Sequence, residues 1–334
     1  MTDKKRIEFI DLAKGICILL VVLGHCNVHV PFVGFNLLRM PLYFILSGLF
    51  FRDYGGFAQH ALKKVNKILV PFLFFYFIAY IPFYIFEYWK PGLIQTQAEG
   101  IMDMFVNRQF FNGPIWFLLC LFWVNLFFCA IELNVRKEWG IGLIVLIVGL
   151  AGALLGHKGV FVPLYIDVAM TALPYFYMGY LLGKTDLLYP NRYDKYNIFI
   201  ALAGYGVAYL ITVCFGEPHP SFHYNKIHGN IALNYIGSFC IVVAVLLLCK
   251  IIRHIPVISY CGRYSIILLC LHHMIYRPLQ LVVNRIVAPP VSGTEIQQWI
   301  VAILTIAICI AFIPLCKRYI PWFTAQKDLI KTQK

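Results

Sequence analysis

The stretch Arg6–His25, RIEFIDLAKGICILLVVLGH, decides how the chain is read. It has the apolar run of a membrane span, yet it carries Glu8, Asp11 and Lys14 near its start and His25 at its end. Charge inside a bilayer costs at least a few kcal/mol per group, so an ionisable residue on such a helix marks function by default. At about 3.6 residues per turn, Lys14 and His25 share nearly the same face and lie roughly 16 Å apart along the axis. Asp11, one turn before Lys14, is placed to pair with it. One stripe thus carries a carboxylate and an ammonium at one end and an imidazole at the other.

The rest of the composition agrees with a chain that lives in lipid. Of the 334 residues, 61% are hydrophobic and only 13% charged, which fits helices in a bilayer rather than a soluble domain. No polar block is large enough for a second folded domain, so residues 1–334 are read as one polytopic domain. Lys4, Lys5 and Arg6 before an apolar run resemble a signal peptide, but Asp11 and Lys14 interrupt the run and no A-x-A-like cleavage site follows. The stretch is therefore expected to be a retained first span. The 11 cysteines are scattered singly with no CxxC pair, so neither a disulfide framework nor a metal site is expected.

Apolar windows long enough to span fall at approximately 7–28, 33–51, 66–88, 114–134, 139–156, 164–183, 197–215, 230–251, 256–278 and 297–320. The expected fold is an all-α bundle of about ten transmembrane helices, kinked at Pro71, Pro82 and Pro174. With the N-terminus in the cytoplasm, Lys and Arg collect on the cytoplasmic side, as in Lys4-Lys5-Arg6, Lys63-Lys64-Lys67, Lys184-Arg192-Lys195, Lys250-Arg253-Arg263 and Lys317-Arg318-Lys327. The opposite side holds Arg39, Lys90, Arg108, Lys158, Lys226, Arg277 and Arg285. This positive-inside bias puts both termini in the cytoplasm. It also accounts for the formal charge of +13 without nucleic acid, for which no motif is found.

In that orientation Asp11 and Lys14 lie toward the cytoplasm and His25 toward the outside. The outer segments 89–113 and 217–229 (EPHPSFHYNKIHG) are rich in histidine, aromatic and amide groups, which suit a sugar acceptor or an interfacial aromatic belt. Ser47-Gly48, in PLYFILSGLFF, is a small-residue break that admits either a packed helix or a ligand. Lys64 and Lys67, in KKVNKILVP, are placed to grip phosphate, of a donor or of lipid headgroups. GPIWFL at 113–118 contributes Trp116, and YCGRYSIILLCLHH at 260–273 carries His272 and His273 toward the outer end of its span.

Taken in order, DLAKGICILLVVLGH, YFILSGLFF, the basic pair before ILVPF, GPIWFL, LPYFYMGYLLGK and YSIILLCLHH resemble the membrane acyltransferase family 3, the O-acyltransferases of surface carbohydrate. The opening is closest to the fucose 4-O-acetylase-like subgroup. The resemblance implies an acyl donor, usually acetyl-CoA, taken from the cytoplasm, and an acceptor hydroxyl on a glycan or lipid-linked saccharide. It places the essential histidine at His25, an arginine of the family at Lys14, and the family's paired arginines at Lys64 and Lys67. Lysine keeps the charge there but lacks the planar bidentate fork. The hydrolase-like domain fused to some members is not expected here. The donor contacts are thus expected at Lys14, Ser47, Lys64 and Lys67, in the inner (cytoplasmic) membrane.

The chemistry points the same way. Acyl transfer to a hydroxyl needs a base that titrates near neutral pH, and histidine meets that need. His25 either deprotonates the acceptor or carries the acyl group itself. Trp116 or His272 is expected to donate to the developing oxyanion or bind the acceptor. The rival reading is a proton- or ion-coupled transporter, since buried Asp, Lys and His also make a proton relay. No internal repeat of the kind common in transporters is seen, which favours the enzyme.

Overall fold

The computed structural model describes residues 7–30, 35–89, 108, 111–215, 220–227, 229–286 and 295–331. Lys4, Lys5 and Arg6, most of the outer segment 89–113 and part of 217–229 lie outside the described residues. In hydrocarbon every backbone polar group must be satisfied within its own segment, and the described chain meets that demand with helices. In order they are α1 (Glu8–His25), α2 (Phe35–Leu49), α3 (Phe57–Lys64), a π-helical turn (Val65–Leu69) and α4 (Val70–Trp89). Then follow α5 (Trp116–Asn134), α6 (Glu138–His157), α7 (Ile166–Gly183), α8 (Asn197–Phe215), α9 (Ile231–Ile252), α10 (Pro256–Arg263), α11 (Ser265–Ile286) and α12 (Glu295–Tyr319). A two-residue antiparallel ladder pairs Pro220–Ser221 with Lys226–Ile227.

Seven helical stretches among the described residues are long and apolar enough to cross a membrane: Phe57–Ile81, Gly113–Asn134, Glu138–His157, Asp194–Phe215, Ile231–Ile252, Ser265–Ile286 and Glu295–Tyr319. The other three expected windows correspond to α1, α2 and α7. Polar content, or in α2 short length, explains the difference. α1 holds Glu8, Asp11 and Lys14, α2 is 15 residues long, and α7 carries Asp167, Pro174 and three tyrosines, Tyr175, Tyr177 and Tyr180. Much of α1 and α7 is buried, whereas α8 exposes Leu202, Leu210 and Val213. The polar helices thus sit inside protein, and an apolar one faces outward. The ninth expected window, 256–278, is not continuous: Tyr264 leaves helical geometry and separates α10 from α11.

Contacts divide the chain into two compact units, Met1–Phe51 with Ala172–Ser265 and Arg52–Thr171 with Ile266–Lys334. In the first, α1 packs along α10 and against α9 and α2. Two glycines make this possible: a Cβ built on Gly15 would overlap the Ile258 carbonyl, and one on Gly262 would overlap the Asp11 carbonyl. α2 meets α7 in the same manner, through Gly48 against Phe176 and Gly179 against Ile45. Gly48 is therefore a backbone-packing notch. In the second unit α3 and the π-helical turn pack on α5, and α5 on α6. Asn112, just before α5, is buried and donates from Nδ2 to the Cys270 carbonyl of α11 at 2.7 Å.

Candidate functional site

In the first unit the charged stripe of α1 is held at both ends. His25 is the last residue of the helix and is exposed. The chain then stops with Asn27 in the left-handed region (φ 57°), while Asn27 N–H donates to the Gly24 carbonyl and Val28 N–H to the Leu23 carbonyl. This is the Schellman pattern, with Asn in the place glycine usually takes. Val28 is buried beneath it, so the last turn, and His25 with it, has a fixed geometry.

At the other end Asp11 is buried, with Arg263 Nε 3.8 Å from its Oδ2. Sequence reasoning assigned Arg263 to topology alone; its nearness follows from the Gly262 contact one residue earlier. Lys14 is half-buried, its Nζ 5.9 Å from the centre of the Phe50 ring. Its carbonyl accepts from the Tyr43 hydroxyl at 3.1 Å, and that hydroxyl is also hydrogen-bonded to Ser265 at the start of α11. Ser47 is half-buried on α2, beside the Gly48 notch.

The second unit holds the remaining expected residues in two groups. Around the π-helical turn, Lys63 and Lys67 converge on Asp328, with Nζ–Oδ distances of 2.7 and 2.9 Å. Lys64, between them in sequence, is half-buried at the end of α3. The cations brought together are thus Lys63 and Lys67, while the spacing had singled out Lys64 and Lys67.

The second group surrounds the start of α5. Trp116 is buried and stacks on Tyr165, ring centres 5.4 Å apart. His272 is fully buried, and its Nδ1 lies 2.8 Å from the Leu268 carbonyl one turn back on its own helix. His273 is the one that faces the GPIWFL turn: a Cβ built on Gly113 would lie 3.9 Å from its Cε1. Arg277 Nε donates to His273 Nε2 at 3.4 Å.

Beside them lies a buried ion pair that sequence reasoning missed. Arg108 is bound to Asp167, donates to the Val162 carbonyl at 2.9 Å, and has the Phe161 ring 4.6 Å from its guanidinium carbon. The Tyr165 hydroxyl donates to the Arg108 carbonyl at 2.8 Å. Asp167 inside the apolar window 164–183 was the available signal. Among the described residues no group of three or more His, Cys, Asp or Glu side chains is arranged to hold a metal.

Each group suits one part of acyl-transfer chemistry: the accessible imidazole in the first unit, and the lysines and the indole and histidine beside a tight turn in the second. Comparison with curated proteins and with solved structures returns no match. A family model described as an acyltransferase domain matches residues 7–316, from just before α1 almost to the end of α12. With nearly its whole length covered, and with helices apolar enough for repeated membrane crossing, the chain belongs to the membrane acyltransferase family 3.

Proposed function

We propose that this membrane acyltransferase moves an acetyl group from cytoplasmic acetyl-CoA to a hydroxyl of an extracytoplasmic or lipid-linked glycan. It does so in the inner membrane, with ten spans and both termini in the cytoplasm. The observation that carries this reading is α1 itself, which holds the exposed His25 at one end and Asp11 and Lys14 at the other. A donor whose phosphates lie at the lysine end reaches His25 through its extended pantetheine arm.

His25 Nε2 or Nδ1 takes the acceptor's hydroxyl proton as the oxygen attacks the thioester carbonyl. The C–O bond forms, the C–S bond breaks, and CoA leaves as thiolate to be protonated. In the covalent variant the imidazole attacks first and the acetyl group passes from histidine to sugar. Trp116 and His273, the α11 histidine beside Gly113, serve the acceptor and the oxyanion. Asp11 is buried with Arg263 Nε 3.8 Å from its carboxylate, which fixes the donor end of α1.

Membership of an acyltransferase family sets this reading above an ion-coupled transporter. The opening stretch supports an acceptor of the fucose 4-O-acetylase type. Incubation of membranes with radiolabelled acetyl-CoA and candidate glycans tests it: the unmodified protein should label the glycan and His25→Ala should not. Equal labelling by both would refute the assignment.

A further inference from the structure

The C-terminal segment 320–331, which follows α12, is bound to the π-helical turn. Asn66, fully buried in that turn, accepts the backbone N–H groups of Leu329 and Ile330 on Oδ1 at 2.9 and 2.8 Å. Its Nδ2 donates to the Ile330 carbonyl at 2.9 Å. One side-chain amide therefore pairs with the backbone of the segment as a neighbouring strand would. The Asp328 carboxylate lies between Lys63 and Lys67, and Lys67 Nζ also donates to the Ala325 carbonyl at 2.8 Å. Phe323 stacks on Phe74, ring centres 4.3 Å apart.

This is more than a surface ion pair. Two ammonium groups converge on one carboxylate, Lys63 from the end of α3 and Lys67 from the π-helical turn, a departure from α geometry that recurs at functional sites. Burial pushes the Asp328 carboxyl up, but the hydrogen bonds and charges of Lys63 and Lys67 more than offset that and hold it below the usual carboxylate range. Asp328 therefore stays charged at neutral pH, and its release calls for a competing anion rather than a proton. The ion pairs are a quarter to a third exposed (28%, 33% and 24% for Lys63, Lys67 and Asp328), so each is weak and easily exchanged.

We propose that Lys63, Lys67 and Asn66 form a binding site for a phosphate of the CoA donor, and that segment 320–331 is a displaceable latch over it, with Asp328 in the phosphate's place. The proposal rests on the reading of the lysines before α4 as donor-binding. A phosphate offers more charge and more acceptor oxygens than one carboxylate, and lysine binds it as a point charge without needing a fork. When Asp328 leaves, both ammonium groups and Asn66 Nδ2 become available to the incoming anion.

The test uses detergent-purified full-length protein, unmodified and as Asp328→Asn. CoA affinity is measured for both, and hydrogen exchange of segment 320–331 is followed with CoA and with pantetheine, which lacks phosphate. Asp328→Asn should bind CoA roughly threefold to tenfold more tightly, the effect of removing one weak competing ion pair. CoA should speed exchange at Leu329 and Ile330, and pantetheine should not. The exchange arm needs no variant, so it stands even where Asp328→Asn folds poorly. Equal CoA affinity with unchanged exchange overturns the latch and leaves donor binding elsewhere intact. Weaker CoA binding by Asp328→Asn also overturns it, because the aspartate would then position the lysines rather than block them. Failure of CoA to bind either protein overturns both the latch and the donor reading.

Discussion

Gly262 lies so close to Asp11 that its missing Cβ would occupy the space of the Asp11 carbonyl oxygen. The contact is backbone on backbone, so no side-chain rotamer can relieve a larger residue. It sets α10 against the charged end of α1 and brings Arg263 within 3.8 Å of the Asp11 carboxylate. Gly262→Ala should therefore destabilise by about 1–3 kcal/mol or more through overpacking. Gly206, with nothing within 4 Å of a built Cβ, is the control, and Gly206→Ala should be neutral or slightly stabilising. Thermal unfolding in detergent checks both, and equal midpoints would contradict the packing.

His25 and Lys14 should separate chemistry from donor binding. Loss of a general base typically costs about 10²–10⁴ in rate, so His25→Ala should nearly abolish transfer while acetyl-CoA binding survives. Lys14→Ala should lose donor affinity first, and Lys14→Arg should retain it. Transfer and binding measured side by side decide the matter. Near-normal transfer by His25→Ala would remove it from the chemistry.

Arg108 and Asp167 should behave as a unit. Breaking a buried pair strands a charge, at a cost of about 3–5 kcal/mol. Asp167→Asn should accordingly unfold far more readily than the parent. The double variant Arg108→Met, Asp167→Leu should recover much of that stability, because no lone charge remains. A double variant less stable than Asp167→Asn would show that the pair does more than neutralise itself.

The two histidines of α11 should differ. His272 is fully buried and bonded to its own helix, so His272→Gln should lower the unfolding temperature. His273 lies beside Gly113 and is partly exposed, so His273→Gln should leave stability nearly unchanged and raise the acceptor KM severalfold. Unfolding scans and acceptor titrations distinguish them, and the opposite pattern would exchange their roles.

Thiol labelling of single cysteines at Lys63 and Arg192 should succeed only from the cytoplasm, and at Tyr224 only from outside. Labelling of position 224 from the cytoplasm would reverse the proposed direction of transfer.

The features legible in the sequence were those written as charge in an apolar run. Glu8, Asp11, Lys14 and His25 announced α1, and the ordered motifs announced the family. What escaped depends on three-dimensional approach. Hydropathy averages over the break at Tyr264, because the apolar run 266–269 outweighs Arg263 and Ser265 within one window. Arg263 looked like one more cytoplasmic cation until Gly262 placed it. Asn27 gave no sign of a left-handed stop, and the tail around Asp328 offered only cytoplasmic cations such as Lys327. The lysine spacing assumes regular α-helix through residues 64–67, where the structure has a π-helical turn from Val65.

That irregularity reaches beyond this chain. Within Val65–Leu69 the Val70 N–H donates five residues back, to Val65, so the turn holds one residue more than an α-helix needs. A single-codon deletion there would close it. Because a five-residue π turn rotates the chain by about as much as four α-helical residues, α3 would keep nearly the same bearing relative to α4. Lys63 would still point toward Asp328, and the side chains inside the turn, Asn66 and Lys67, are the ones that would shift. Descendants and cousins with a shortened turn would thus keep the cations before it and the same apolar core, and their lysines and arginines align with these only across a one-residue gap.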